Sequence, residues 1–195
     1  MKYSLESISD YGDSFYDREI LCLCPAKRER VLRFRNVSDR RLSILGDHIA
    51  RKLVSDLLGI TPEEVLIEPD ISGRPVIARP EGTGLYCSIS HSGEISCAAV
   101  SDRPVGIDIE QIRPYDSKVA EAVCSSGELS YIRENGDEGF YRIWTAKESY
   151  LKCIGTGLPG TDDLKKIDAF NLPGGITCST DMSHPGYVIS LSQKS

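Results

Sequence analysis

A short acidic motif, Val105–Glu110, carries residue types that could do chemistry. Ile107 and Ile109 alternate in it with Asp108 and Glu110. The period of two of a β-strand therefore places both carboxylates on one face. Two acids on a strand face are most often hydrated at the surface of a protein. The alternative is a site for a hard divalent cation, which prefers oxygen ligands.

A second motif, Trp144–Lys152, predicts a helix in which Glu148 and Lys152 share one face, one turn apart. Lys147 falls within the apolar stripe of the same helix, where an unpaired ammonium is costly to bury. Its side chain either extends to solvent or faces a polar cleft that contains an anion. If the strand and the helix meet, three carboxylates and two lysines converge. Such a cluster suits Mg²⁺ or Mn²⁺ bound to a pyrophosphate and favours phosphoryl-type transfer.

Charge is unevenly distributed along the chain. The net charge is −6, which argues against general nucleic-acid binding, but segment 27–52 holds nine basic and three acidic residues. This segment fits an anionic ligand or an acidic partner, and a solvated helix face is an equally good interpretation. Ser90 and His91, at a turn predicted over His91–Glu94, add donors that could hold a pyrophosphate.

Hydrophobic periodicity predicts an α+β chain of two similar lobes, residues 1–104 and 105–195. The main predicted elements are a strand over Ile20–Cys24, a basic helix from Pro25 to Phe34, a helix capped by Asp39 and ended by Gly59, a loop over Asn135–Gly139, a helix over Phe140–Ile154 and a strand over Asp168–Leu172. No signal peptide or membrane span is expected. Seven cysteines without zinc-site spacing are typical of free thiols in a cytoplasmic protein.

Together the two motifs resemble those of the Sfp-type 4′-phosphopantetheinyl transferases. Supporting matches are Gly73–Pro75, Ser88–Gly93 and Leu45–Asp47, so that the resemblance extends from about Cys24 to Leu158. It implies a pseudo-twofold fold of two α/β lobes with coenzyme A, the co-substrate, bound between them. It also implies a monomeric enzyme that acts on an acyl or peptidyl carrier protein, without nucleic acid or membrane.

The resemblance also implies roles for individual residues. Magnesium, or manganese, would be held by Asp108, Glu110 and Glu148. Coenzyme A would be contacted by Lys27, Arg30, Ser43, Arg74, Ser90, His91, Lys147 and Lys152. The carrier serine would attack the β-phosphate and release 3′,5′-ADP, with Glu148 or a metal-bound water taking its proton and Lys152 stabilising the leaving phosphate. Glu128 matches a family glutamate and is a further catalytic candidate.

Two departures from the family pattern bear on these roles. Leu42 stands where the family usually has an arginine before the residue that matches Ser43, and Arg41 lies one position earlier. Val123 and Cys124 stand just before Ser125, where the family tends to have aromatic residues before the matching serine. The alternatives to a transferase are a non-catalytic coenzyme A-binding module and a magnesium-dependent phosphohydrolase.

Overall fold

The computed structural model describes residues 1–157 and 160–195. The chain divides into two compact units, Met1–Val105 and Gly106–Ser195, which we call the N-terminal lobe and the C-terminal lobe. Each lobe packs helices against β-strands around its own apolar cluster. Among the described residues, no helix combines the length and the apolar character that crossing a bilayer requires.

The N-terminal lobe contains three α-helices and five strands. They are β1 (Lys2–Ser7), α1 (Asp13–Cys22), α2 (Pro25–Leu32), α3 (Val37–Leu58), β2 (Leu66–Pro69), β3 (Pro75–Arg79), β4 (Tyr86–Ser92) and β5 (Ile95–Ser101). β1, β5 and β4 form one sheet in that order, and β2 pairs with β3 in a second. The long helix α3 packs on β5, and Ser96 Oγ donates a 2.7 Å hydrogen bond to the Leu42 carbonyl oxygen.

The apolar stripe of α3 makes this helix the centre of the N-terminal core. Leu45 and Ile49 are fully buried in it, as the predicted helical spacing requires. The helix begins earlier than predicted, because Asn36 and not Asp39 is the N-cap, accepting a 2.9 Å hydrogen bond from Ser38 N. Gly59 ends it in the left-handed conformation, as predicted.

The strand predicted over Ile20–Cys24 is wrong. Ile20 lies in α1, which continues to Cys22 and is followed by the extended residue Leu23. A short apolar run cannot be assigned to strand or helix by periodicity alone. Here the first part of the run is the end of a helix that begins at Asp13. His91 and Ser92, predicted in a turn, belong to β4.

The C-terminal lobe contains three helices and three strands in its described part. They are β6 (Val105–Gln111), α4 (Ser117–Val123), α5 (Ser126–Ile154), α6 (Thr161–Lys166), β7 (Ile176–Asp181) and β8 (Tyr187–Lys194). The sheet order is β6-β8-β7, so that the first strand lies beside the last, as β1 lies beside β5 in the N-terminal lobe. The α+β fold of two similar lobes is thereby confirmed.

Two local predictions in the C-terminal lobe need correction. The loop predicted over Asn135–Gly139 lies within α5, which departs from helical geometry only at Gly136, with φ of 61°. The strand predicted over Asp168–Leu172 is instead a turn, in which Asp168 accepts hydrogen bonds from the backbone of Phe170 and Asn171. Such Asp-initiated turns compete with strand formation.

Gly106 permits the close approach of β6 and α5 that the candidate site needs. A β-carbon at this position would lie 1.9 Å from the Ser149 carbonyl oxygen and 2.5 Å from Cys153 N, both of which are backbone atoms. We expect Gly106→Ala to lower the free energy of unfolding by about 3 kcal/mol or more, because backbone cannot move aside as a side chain does. Urea denaturation measures this loss. Gly12→Ala, where nothing lies within 4 Å, is the matched control, and equal stability losses in the two variants would contradict the prediction.

Candidate active site

Strand β6 and helix α5 bring the predicted acidic residues together in the C-terminal lobe. Asp108 is 4% exposed and Glu110 is half-buried. Asp108 Oδ1 accepts a 2.7 Å hydrogen bond from Lys152 Nζ. The Lys152 side chain remains 30% exposed. The close contact at Gly106 explains why a strand residue reaches a helix residue forty-four positions away.

Glu148 is a strongly perturbed acid within this cluster. Burial raises the pKa of its carboxyl to about 7, with the neighbouring Asp108 and Glu110 carboxylates adding to the shift and Lys152 opposing it. Its Oε1 is buried and has no hydrogen-bond partner among the described residues. A carboxyl in this state is suited to take up a proton near neutral pH.

The donor chemistry of the cluster fits a hard divalent cation. Three carboxylates that repel one another are stabilised by a shared cation, and all their donors are oxygens. Within the described ranges, however, no group of three or more His, Cys, Asp or Glu side chains already has the arrangement of a metal site. The Lys152 ammonium occupies one oxygen of Asp108, so a cation would bind there in competition with this lysine.

Lys147 lies in a buried ion pair, unlike either alternative drawn from the sequence. It is 1% exposed, and its Nζ donates to Glu128 Oε2 at 2.7 Å. The carbonyl oxygens of Val123 and Leu164 accept further hydrogen bonds from it, at 2.8 and 2.9 Å. Three acceptors match the three donors of an ammonium. Its contact with phosphate remains a prediction, and this geometry favours a structural role.

Glu128 completes the same buried cluster. It is fully buried, and its carboxylate accepts hydrogen bonds from Ser125 N at 2.7 Å and Ala169 N at 2.9 Å, in addition to the Lys147 ammonium. Ser125 and Glu128 form a capping box at the start of α5. The Glu128–Lys147 pair therefore joins α4, α5 and α6, and the structure does not place Glu128 beside Asp108, Glu110 and Glu148.

A second group of predicted residues lines one pocket of the N-terminal lobe. The pocket has a volume of about 410 Å³, and Lys27, Arg30, Ser43 and His91 line it. Lys27 and Arg30 come from α2, Ser43 from α3 and His91 from β4. Two cations, a hydroxyl and an imidazole against apolar walls suit an anionic ligand with a flat apolar part.

Arg74 and Ser90 occupy different surroundings. Gly73 and Pro75 line the same pocket, but Arg74 lines a neighbouring one of about 260 Å³. Its guanidinium lies 6.0 Å from the centre of the Tyr86 ring, within the range of a cation–π contact. Ser90 is buried on β4, next to His91. Their contacts with coenzyme A remain predictions.

The structure also shows pocket residues that the sequence did not reveal. Ile67, Glu68 and Ile89 line the 410 Å³ pocket. Their residue types and spacing alone do not distinguish a pocket wall from ordinary core. At the position of the family departure, Leu42 is buried in the core and Arg41 pairs with Asp13, so neither lines this pocket.

Comparisons with known proteins follow the division into lobes. A sequence model described as "4'-phosphopantetheinyl transferase, N-terminal" matches residues 13–103, and one described as "4'-phosphopantetheinyl transferase superfamily" matches residues 104–190. Together the two matches cover almost the whole chain, including both motifs and all of the candidate residues.

Three curated relatives carry the same description. The chain is 34% identical over 136 residues to 4'-phosphopantetheinyl transferase psf-1 of Bacillus pumilus, which covers 68% of this chain and 58% of the relative. It is 35% identical to gsp of Aneurinibacillus migulanus, over 68% of this chain and 56% of the relative. It is 30% identical to Sfp of Bacillus subtilis (strain 168), over 73% of this chain and 64% of the relative. The matched region thus spans less than two thirds of each of these relatives. With two consecutive family matches and relatives of the Sfp type, the chain belongs to the 4′-phosphopantetheinyl transferase superfamily.

Proposed function

We propose that the protein transfers the 4′-phosphopantetheine group of coenzyme A to a serine of an apo acyl or peptidyl carrier protein. The observation that carries this proposal is the β6–α5 cluster, in which a carboxyl with a pKa of about 7 lies beside two other carboxylates and a lysine. The names of the relatives, all 4'-phosphopantetheinyl transferases, support it.

In this proposal the acidic cluster binds Mg²⁺, or Mn²⁺, through Asp108, Glu110 and Glu148. The bound cation supplies charge neutralisation for the diphosphate of coenzyme A. The carrier serine Oγ forms the new bond to the β-phosphorus, and the bond between this phosphorus and the bridging oxygen breaks. Glu148 accepts the serine proton. Lys152 stabilises the charge on the departing 3′,5′-ADP.

The N-terminal pocket binds the nucleotide part of coenzyme A in the same proposal. Lys27 and Arg30 supply positive charge for the 3′-phosphate, and Ser43 and His91 supply further donors. The apolar side chains Ile67 and Ile89 in the same pocket suit the flat base. Glu128 and Lys147 hold the framework of α5 in this proposal.

We also propose a reducing, cytoplasmic location. All seven cysteines lie in the described part of the chain as free thiols. Burial raises the pKa of the Cys87 thiol to about 12 and that of Cys124 to about 11, which leaves both unreactive. Free buried thiols are usual in proteins that are not exposed to an oxidising compartment.

Transfer is tested by incubating the protein with coenzyme A, Mg²⁺ and several apo carrier proteins, both acyl and peptidyl. We expect the mass of at least one carrier to increase by one phosphopantetheine group, with stoichiometric 3′,5′-ADP. The same carrier with its acceptor serine replaced by alanine is the matched control. Coenzyme A binding without any carrier adduct would support a non-catalytic module, and phosphate release without carrier would support a phosphohydrolase. Either result would overturn the proposal.

A further inference from the structure

A chain of alternating charges connects a pocket residue of the N-terminal lobe to its buried core. Lys27 Nζ donates to Asp47 Oδ2 at 3.0 Å, and the other carboxylate oxygen of Asp47 accepts from Arg51 Nε at 2.9 Å. Arg51 in turn pairs with Glu19 and donates to the Pro62 carbonyl oxygen at 3.3 Å. Of these charged residues, Lys27 alone lines the 410 Å³ pocket.

Burial makes the geometry of these charges rigid. The side chains of Asp47 and Arg51 are each 1% exposed, and that of Lys27 is 11% exposed. Asp47 and Arg51 lie four residues apart on α3, so they share one face of the same helix. A buried carboxylate with a fixed cation on each side has little freedom to move.

This arrangement addresses the flexibility of a lysine side chain. Its four-carbon stem adopts many rotamers in solution, and a ligand that recruits a free lysine must order all of them. Asp47 occupies one of the three ammonium donors of Lys27 and leaves the other two for an anionic group. The ammonium is thereby ordered before the ligand binds.

We infer that Asp47 is a positioning residue, which holds the Lys27 ammonium at the pocket wall for a phosphate group of the nucleotide. The inference rests on the proposed function, since it takes the nucleotide part of coenzyme A as the ligand of this pocket. It assigns to Asp47 a role in affinity although its carboxylate carries the same sign of charge as the ligand.

Because Asp47 is negatively charged like the ligand, the two possible roles of Asp47 predict opposite changes in affinity when its charge is removed. If Asp47 acted only through its charge, removing that charge would make the pocket more positive and would tighten the binding of an anion. If it positions Lys27, its removal weakens binding, and only as long as Lys27 is present. The probe is 3′,5′-ADP, with its dissociation constant measured by calorimetry below the melting temperature of every variant.

We expect Asp47→Asn to weaken the binding of 3′,5′-ADP about tenfold. Lys27→Met is expected to weaken binding at least as much, and the double variant to match Lys27→Met alone, because Asp47 has nothing left to position. Asp56→Asn, at an exposed position of the same helix, is the matched control for removing one negative charge. It is expected to leave the dissociation constant within about twofold of wild type.

Stability is measured separately, because Asp47→Asn also removes a partner from the buried Arg51. If Asp47→Asn does not fold, Asp47→Glu keeps the charge for Arg51 but displaces the carboxylate by one methylene. Positioning predicts weaker binding in this variant, whereas a pure charge role predicts wild-type binding.

Three results would overturn the inference. Tighter or unchanged binding in Asp47→Asn would show that the carboxylate does not orient Lys27. Weakened binding that persists in the Lys27→Met background would show that Asp47 acts through another group. Wild-type protein that binds neither 3′,5′-ADP nor coenzyme A would overturn the proposed function as well, which distinguishes that failure from the first two.

Discussion

Glu148→Gln is expected to lower the rate of carrier modification by about a thousandfold and to leave the fold intact. The variant keeps the size and shape of the side chain but can neither accept the serine proton nor contribute a full negative charge to the cation. The measurement is the initial rate of holo-carrier formation at saturating coenzyme A and Mg²⁺, followed by mass spectrometry. Circular dichroism measures whether the helix content of the variant equals that of wild type.

The same substitution is expected to stabilise the protein in the absence of metal, in a pH-dependent manner. The pKa of the Glu148 carboxyl is about 7 in the folded protein and 4.5 in its ordinary state. Between these values the unfolded chain has lost a proton that the folded protein still holds, so the contribution of this group to stability falls as pH rises. Gln cannot ionise. Its melting temperature should therefore match that of wild type at about pH 4 and exceed it at about pH 8, where the wild-type carboxylate is charged and partly buried.

Glu134→Gln is the matched control for both measurements, since Glu134 is exposed on the same helix. It should change neither the rate nor the pH dependence of the melting temperature. Transfer activity retained in Glu148→Gln would remove Glu148 from the proposed chemistry. A lower melting temperature than wild type at about pH 8 in this variant would show that the carboxylates do not repel one another as their proximity indicates.

The local part of the site could be predicted from sequence. Alternation placed Asp108 and Glu110 on one face of β6, and helical spacing placed Glu148 near Lys152 on α5. These predictions succeed because each depends on the period of one element.

Partners that come from distant elements could not be predicted in this way. Periodicity showed that Lys147 faces the apolar side of its helix. It did not show that Lys147 pairs with Glu128, which lies nineteen residues earlier in the sequence. The N-terminal pocket likewise takes its walls from α2, α3, β2, β3 and β4. Only the family resemblance connected Lys27, Ser43 and His91, and it did not indicate Asp47 as the partner of Lys27.

The buried pair of Lys147 and Glu128 gives the second prediction with a large expected effect. Lys147→Met leaves the Glu128 carboxylate in the core without its cation, and we expect this to lower the free energy of unfolding by about 3–5 kcal/mol. A lysine that served only to bind phosphate would instead be replaced with little loss of stability, as we expect for Lys118→Met, at an exposed position of α4. Urea denaturation of the two variants separates these cases.

A double variant shows whether the lost stability belongs to the pair. In Lys147→Met/Glu128→Gln no buried charge remains, and the Gln carbonyl oxygen can still accept one of the backbone hydrogen bonds from Ser125 and Ala169. We expect the double variant to be more stable than Lys147→Met alone, because an unpaired buried charge costs more than a neutral amide. A loss of stability in the double variant equal to the sum of the losses in Lys147→Met and Glu128→Gln would contradict a coupled pair. If the double variant recovers both stability and transfer activity, Lys147 serves the framework of α5. If it recovers stability but not transfer activity, Lys147 contacts the phosphate.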